Sequence, residues 1–477
     1  MPHDPTRDTV IDAIYAHARQ GAGTEQPAAP ARARSAVACI LWRATGSGGC
    51  EIYLAQRSAS LAFLGGFWTF PGGSLEPDDG GEIGAARREM DEELGIPLPD
   101  DATAFVDAGR WVTPDFAPIR FDTRYLMIEL PAGAAPDWRA SGGELSDGEW
   151  ASPQAILERA ARGEWLVPPP ARLVIEAMAA RLEDAAERSR ELADRSNDGP
   201  RYWELVPGVG TSPVRSPTLP PATHTNCYLF GTGEMIAVDP ASPYPDEQAA
   251  LDRAIDELVG QGRQLVEIWL THHHGDHVGG AVHLAERYGV DIAAHPATAE
   301  RLAGRVRVTR ILADGDVRSL AGPRPRRLRA VFTPGHAPGH LCFLEEETGF
   351  LAAGDMVAGI GTILVDPSEG DMTTYLDSLR RMKALAPRGL LPAHGNAIAA
   401  VAEKLDGYVR HRLWREARVV EALRRLGPAP ARELVRLAYD DVPAAVHPLA
   451  ERSLLAHLVK LEADGVAVRD GDAWRLC

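Results

Sequence analysis

The run Leu270-Thr271-His272-His273-His274-Gly275-Asp276-His277 places five side chains able to bind a first-row metal within six residues. The preceding Val266-Glu267-Ile268-Trp269-Leu270 reads as a strand and the following Val278-Gly279-Gly280-Ala281-Val282-His283-Leu284 as the start of a helix, so the cluster lies on a strand-to-helix turn. Ligands at the C-terminal end of a strand are well placed to line a crevice. Three downstream segments have the same character. His336 lies in Thr333-Pro334-Gly335-His336-Ala337-Pro338-Gly339-His340, Asp355 in Leu351-Ala352-Ala353-Gly354-Asp355, and His394 in Leu391-Pro392-Ala393-His394-Gly395. Each follows a short apolar run and sits at a glycine-marked turn, so all can converge on one edge of a sheet sandwich. Upstream, Ile236-Ala237-Val238-Asp239-Pro240 ends another strand in a carboxylate.

These segments resemble the metallo-β-lactamase superfamily, whose pattern H-x-H-x-D-H followed by H, D and H is matched in order over roughly residues 200–400. The resemblance implies an αββα sandwich with His272, His274 and His336 on one metal, Asp276, His277 and His394 on another, and Asp355 bridging them. Imidazole and carboxylate ligands suit two zinc ions, with manganese and iron also compatible. A metal pair about 3.5–4 Å apart can hold a hydroxide nucleophile while polarising the scissile group, so hydrolysis is the expected chemistry. Asp239 is expected to support the ligand loop by fixing imidazole tautomer and orientation. His340 is a candidate to protonate a leaving group, with a structural hydrogen bond as its alternative. His273 should point away from the metals.

At 477 residues the chain exceeds one ordinary hydrophobic core. The 50 Lys and Arg against 67 Asp and Glu give a formal charge of −17, which disfavours charge-driven binding to nucleic acid or anionic membrane without excluding a locally basic groove. Five cysteines are scattered without C-x-x-C spacing, so neither a disulfide framework nor a thiolate zinc site is indicated. The N-terminus has a short amphipathic helix pattern rather than a signal peptide, and no apolar stretch approaches the ~18–20 residues of a membrane span. A cytoplasmic protein without a membrane partner is expected.

The composition divides the chain into a lead-in (1–34), a first domain (35–182), a charged linker (183–200), the domain of the histidine cluster (201–402) and a helical tail (403–477). In the first domain, Arg88-Glu89-Met90-Asp91-Glu92-Glu93-Leu94-Gly95 puts Glu89, Glu92 and Glu93 on one helical face. Carboxylates so clustered repel unless a hard cation such as Mg²⁺ compensates them; a solvated acidic face is the bland alternative. With Phe70-Pro71-Gly72-Gly73 ahead of it, the segment resembles the Nudix box, which implies an α/β/α sandwich, Mg²⁺ or Mn²⁺ on Glu89, Glu92 and Glu93, and attack by water on a nucleoside diphosphate linked to another group. Asp79 stands where a Glu is expected, with eight residues between it and Arg88 instead of seven. This spacing, and the run from Leu54 to Gly66 that keeps Arg57, Ser58, Leu61 and Gly66, resemble the Nudix members related to coenzyme A diphosphatases, although Ala62 replaces the second arginine of that signature. Arg57, Gly72 and Gly73 are therefore candidate substrate contacts. Glu92 and Glu93 are candidate catalytic groups.

Three helices and a closing hairpin outline a winged helix in the tail. It resembles the tail of a metallo-β-lactamase-like subgroup that includes single-strand-selective endoribonucleases. Arg410, Arg412, Arg415 and Arg418 nearly balance Glu403, Asp406, Glu416 and Glu421, where a nucleic-acid module would show a net basic face, so a packing or dimerisation role is favoured over direct RNA contact. Two substrates stay open for the middle domain: a small ester or thioester such as an acyl-coenzyme A, or RNA. A non-catalytic regulatory or scaffold role stays open for the Nudix-like domain. The expected architecture is α/β multidomain.

Overall fold

The computed structural model describes residues 32–477 apart from 47, 62, 115, 116, 118 and 200. The expected lead-in falls outside the described residues save for its last three, as do Ala62 and Pro200.

In the first unit, strands run in the order Trp68–Thr69, Cys50–Arg57, Arg34–Ala44, Phe121–Glu129, Phe105–Val112, and Leu145–Ala151 also pairs with Cys50–Arg57. Arg34–Ala44 and Phe121–Glu129 are parallel, and Arg34–Ala44 is antiparallel to Cys50–Arg57. Alternation along one strand feeds two cores. Val37, Cys39 and Leu41 pack with Ala85, Ala86, Met90 and Leu94 of the helix Glu82–Leu94. Ala38 and Ile40 face Ile156, Val174, Ile175 and Met178 of the helices Pro153–Ala161 and Pro169–Ala180. Each such aliphatic side chain contributes about 1.5–3 kcal/mol by leaving water. This is the α/β/α sandwich expected.

The charged stretch over 183–200, helical by composition, forms the helix Ala185–Asp198, docked on the first sheet. Its Ala185, Ser189 and Ala193 are buried. Asn197 Nδ2 donates to the Arg110 carbonyl at 2.8 Å, and Arg190 donates to the Asp107 carbonyl. A narrow strip of small residues at i, i+4 and i+8 makes this contact, and the charges lie outside it.

The second unit, from Ser212 onward, has a sheet whose strands run Arg310–Ile311, Asp291–Ala294, Gln264–Trp269, Glu234–Val238, His224–Phe230. Its first four strands are parallel. Another sheet runs Val317–Leu320, Arg326–Phe332, Leu341–Glu345, Phe350–Gly354, Gly389–Pro392, parallel only at its last pair. Trp269 of one sheet meets Phe343 of the other with ring centroids 4.9 Å apart, both fully buried. The helices Pro245–Gly260 and Ala281–Tyr288 pack on Gln264–Trp269. Every residue of Leu341–Glu345, Phe350–Gly354 and Gly389–Pro392 is buried, as strands covered on both faces must be.

A 26-residue helix, Val401–Leu426, leads into the winged helix. Helices Ala431–Ala438 and His447–Ala463 and the strands Ala429–Pro430, Ala467–Asp470 and Ala473–Leu476 enclose Val419, Leu423, Leu434, Leu454, Leu458 and Trp474. Arg412 and Arg415 are buried, at 4% and 3% exposure. Arg415 pairs with both oxygens of Asp441 at 2.7 and 2.9 Å, while Arg418 donates to the carbonyls of Ala438 and Leu437. Of the six arginines of this helix, Arg412, Arg415 and Arg418 are therefore committed within the protein. All five cysteines are unpaired, and no described helix is long and apolar enough to cross a membrane.

Candidate functional site

Every expected metal ligand follows the C-terminal end of a strand. His272 and His274 come after Gln264–Trp269, His336 after Arg326–Phe332, Asp355 after Phe350–Gly354 and His394 after Gly389–Pro392, with Asp276 and His277 on the short helix Gly275–Val278. The strand ends bring all seven together. His272 Nε2 and His274 Nδ1 are 2.9 Å apart, and His336 Nε2 lies 3.3 and 3.1 Å from them. His394 Nε2 lies 3.6 Å from Asp276 Oδ2 and 3.3 Å from Asp355 Oδ1, and His277 Nε2 lies 3.5 Å from the same Asp355 oxygen. The other Asp355 oxygen, Oδ2, is 3.6 Å from His336 Nε2. Asp355 thus turns one oxygen to each group.

Proton accounting fixes what these atoms present. His336 Nδ1 meets the Leu364 carbonyl at 2.8 Å and His394 Nδ1 the His224 carbonyl at 3.1 Å; a carbonyl only accepts, so each ring donates there. His277 Nδ1 donates to Asp239 Oδ2 at 2.8 Å, and His274 Nε2 donates to Glu369 Oε1 at 2.5 Å. The Thr271 hydroxyl gives its proton to Asp239 Oδ2 at 2.7 Å, so it accepts from His272 Nδ1 at 2.9 Å. Each neutral ring is left with a lone pair directed inward. Lone pairs held about 3 Å apart repel one another, so the close nitrogens of His272, His274 and His336 are not hydrogen-bonded to each other and need a cation between them. His277 Nε2 and Asp355 Oδ1 are likewise buried without a hydrogen bond. The donor set fits two transition-metal ions.

Burial pushes His272 well below the ordinary imidazole range and His336 to about 4. At His277 the burial is outweighed by Asp355, Asp239 and Asp276, which hold its pKa well above that range. Metal binding among these carboxylates must displace such a proton.

Asp239 accepts from Thr271 N at 2.8 Å, the Thr271 hydroxyl and His277 Nδ1. It adopts φ 52°, a left-handed conformation that costs a non-glycine residue on the order of 1 kcal/mol and is held by those bonds. His340, a candidate proton donor with a structural hydrogen bond as its alternative, is bonded at both ring nitrogens. Its Nε2 accepts from Asp355 N at 3.1 Å and its Nδ1 pairs with the Thr333 hydroxyl at 2.9 Å, so both nitrogens are occupied in placing the bridging aspartate. A Cβ on Gly354 would lie 2.5 Å from His340 Nε2, which explains the glycine. His273 turns from the ligand nitrogens to Glu369 Oε2 at 2.9 Å. Glu369, which joins His273 to His274, has no local sequence signal, and neither does the Thr271 hydroxyl.

In the first unit, Arg88 is the hub of the acidic helix. Its guanidinium donates to Asp79 at 2.8 and 3.1 Å, to the Ser74 carbonyl at 2.9 Å, and to Glu89 and Glu92 at 3.0 Å. The shorter Asp79 reaches Arg88 because the extra residue is taken up by the turn Pro77–Asp79, where Asp79 also accepts from Glu76 N at 2.7 Å. A Cβ on Gly73 would lie 2.2 Å from Glu89 Oε1, and Gly72 N donates to Glu93 Oε2 at 2.9 Å, so the glycines seat two of the three carboxylates. Burial pushes the Glu93 carboxyl up to about 7 against the pull of the Gly72 N–H, and burial also raises Glu89. Glu92 stays exposed. Among the described residues, Glu89, Glu92 and Glu93 form no group as tight as those of the histidine cluster, but the all-oxygen set suits a hard cation. Arg57 donates to the Phe63 carbonyl at 3.1 Å and lies in the field of Glu93.

Family models match in the same three blocks: NUDIX domain over residues 32–168, metallo-beta-lactamase superfamily over 220–394, and beta-lactamase associated winged helix domain over 431–474. The lactamase-like protein vrtG of Penicillium aethiopicum is 34% identical over 261 residues, 52% of this chain and 78% of vrtG. The beta-lactamase-like protein 2 homolog of Caenorhabditis elegans is 31% identical, over 51% of this chain and 80% of that protein. The lactamase-like protein nscB of Arthroderma gypseum is 38% identical over 42% of this chain; the chain spans only 59% of its length. A beta-lactamase domain protein from Burkholderia ambifaria, of solved structure, shares the fold at TM-score 0.51 and 23% identity, over 58% of this chain and 93% of that one.

Proposed function

Because this chain belongs to the metallo-β-lactamase superfamily and carries a NUDIX domain ahead of its histidine-rich metal site, we propose that it is a dinuclear zinc hydrolase of a small ester or thioester, joined to a Mg²⁺- or Mn²⁺-dependent diphosphatase. One observation carries the first part: five imidazoles whose tautomers are all set to turn a lone pair inward, around an aspartate whose two oxygens face different groups. Two zinc ions bound there supply an acidified water and a Lewis acid for the scissile carbonyl. The chain's own part is orientation. Asp239 and Thr271 hold His277 and His272, Glu369 holds His274, the Leu364 carbonyl holds His336, and His340 holds Asp355 by its backbone N–H.

A thioester or ester is favoured over RNA by the fate of the tail's arginines. Arg412, Arg415 and Arg418 are spent on carbonyls and aspartates, and the formal charge of −17 supplies no general attraction to a polyanion. An acyl-coenzyme A would also suit a neighbouring domain with a coenzyme A-type Nudix signature, whose substrates are expected among coenzyme A derivatives and nucleotides. Purified protein and His274→Ala are to be assayed on acyl-coenzyme A thioesters and on labelled single-stranded RNA. Thioester hydrolysis lost in His274→Ala is the expected result; His274-dependent RNA cleavage would replace this substrate with the endoribonuclease alternative. For the NUDIX domain, Glu92→Gln with Glu93→Gln is expected to abolish cation-dependent hydrolysis of the diphosphate linkage of coenzyme A or nucleotide sugars into two monophosphates. Unchanged turnover would make the domain a scaffold.

A further inference from the structure

Residues 355–371 join the strand Phe350–Gly354 to the helix Met372–Ala384 without regular structure, yet they supply three parts of the metal cluster. Asp355 is itself a ligand, the Leu364 carbonyl sets the His336 tautomer, and Glu369 sets that of His274 while also holding His273. Segments of this length have few internal hydrogen bonds to fix them, so ligand geometry this tight requires outside support.

Part of it comes from the metal domain, where Gly359 N donates to the His394 carbonyl at 2.7 Å and Asp371 N to the Gly335 carbonyl at 2.9 Å, and part from the C-terminal helices. Arg452, on His447–Ala463, donates from Nε and Nη2 to both oxygens of Asp366 at 2.7 and 2.6 Å. Asp366 is 5% exposed and organises the turn beyond it, accepting from Ser368 N at 2.9 Å and from the Ser368 hydroxyl at 2.7 Å. Its carbonyl accepts from Gly370 N at 2.6 Å and Glu369 N at 3.2 Å. A continuous chain of bonds thus runs from Arg452 through Asp366 and Glu369 to His274. Arg412, on Val401–Leu426, donates to the Ile363 carbonyl next to Leu364, and Tyr408 Oη accepts from Ala358 N at 2.9 Å.

We propose that the winged helix serves the metal centre as a clamp, with Arg452 and Arg412 as positioning residues that hold His274 and His336 through residues 355–371. This rests on the dinuclear metal site proposed above, and it gives the tail a task that needs no nucleic acid. Bidentate Arg–carboxylate geometry is directional, so Lys at position 452 can restore charge but not the fork.

The test uses the full chain and reads metal rather than turnover. Zn²⁺ affinity is measured by chelator competition, and the visible spectrum is recorded after loading with Co²⁺, for wild type, Arg452→Ala, Arg452→Lys and Asp441→Asn. Asp441→Asn is the control, because it loosens the Arg415 pair within the same tail without touching residues 355–371. Removing groups that orient metal-bound imidazoles typically weakens affinity 10–100-fold, and Arg452 acts one step further out, so Arg452→Ala is expected to lose about 10-fold with an altered Co²⁺ spectrum. Arg452→Lys should fall between it and wild type, and Asp441→Asn should keep wild-type affinity and spectrum. Wild-type behaviour of Arg452→Ala, or equal losses in Arg452→Ala and Asp441→Asn, would overturn the clamp while leaving the metal site standing. A wild-type protein that binds no metal would overturn both.

Discussion

Replacing Asp239 with Asn tests whether tautomer control is what prepares the metal site. The side chain is 2% exposed and accepts three hydrogen bonds, from Thr271 N on Oδ1 and from the Thr271 hydroxyl and His277 Nδ1 on Oδ2. An amide has one acceptor oxygen. With that oxygen at the Oδ2 position, the NH₂ group faces the Thr271 N–H at 2.8 Å, donor against donor. With the amide flipped, the NH₂ faces His277 Nδ1, and the ring can accept from it only by moving its own proton to Nε2, where the metal must bind. Leaving one buried donor unpaired costs about 1–3 kcal/mol. At about 1.4 kcal/mol per factor of ten, a loss of 10–100-fold in metal affinity corresponds to about 1.4–2.8 kcal/mol, which lies within that range. Chelator competition with Asp239→Asn should therefore show one of two Zn²⁺ equivalents, the one held by Asp276, His277 and His394, weakened by that factor and released first. Two equivalents bound as tightly as in wild type, in a variant melting at the wild-type temperature, would refute the tautomer mechanism.

Glu93 supplies a pH test. Its carboxyl holds a proton more tightly in the folded chain, at about 7, than unfolded, so the stability this contributes is full below the unfolded value and is lost as pH rises through about 7. Melting of the first unit should fall over that interval in wild type and stay flat in Glu93→Gln, and Mg²⁺, which needs the ionised form, should raise the wild-type melting temperature more at about pH 8 than at about pH 6. Gly73→Ala sets a Cβ 2.2 Å from Glu89 Oε1, so Mg²⁺ titration should show weakened binding with little change in the fold of the central domain. Arg415→Ala leaves Asp441 without its guanidinium, takes one of two donors from the Ala438 carbonyl, which keeps Arg418, and removes a cation stacked 4.0 Å over Tyr439. Denaturant unfolding should register a loss of roughly 1–2 kcal/mol, below that for a buried ion pair because the Asp441 side chain is 39% exposed, and RNA retention on a filter should not change.

The candidate ligands of the central site were legible in the sequence because residue type, order and position at strand ends reinforce one another. His272, His274, Asp276, His277, His336, Asp355 and His394 needed no tertiary contact to be singled out. Glu369 did, because its link to His274 spans 95 residues and no spacing rule joins them. Burial was the other hidden quantity. Arg412 and Arg415 have the composition of a solvated face and lie inside the protein, and the charges of Ala185–Asp198 masked the small-residue strip by which it docks. At Asp79 the departure from the usual spacing is compensated locally, since the turn Pro77–Asp79 carries the shorter carboxylate to Arg88.

Metal analysis of the purified chain, with zinc, manganese and iron measured together against protein concentration, tests the proposed dinuclear centre most directly. Two equivalents of transition metal per chain, both lost from a protein carrying His274→Ala with Asp355→Ala, are expected. Less than one equivalent in the wild-type chain after loading with excess Zn²⁺ would contradict it.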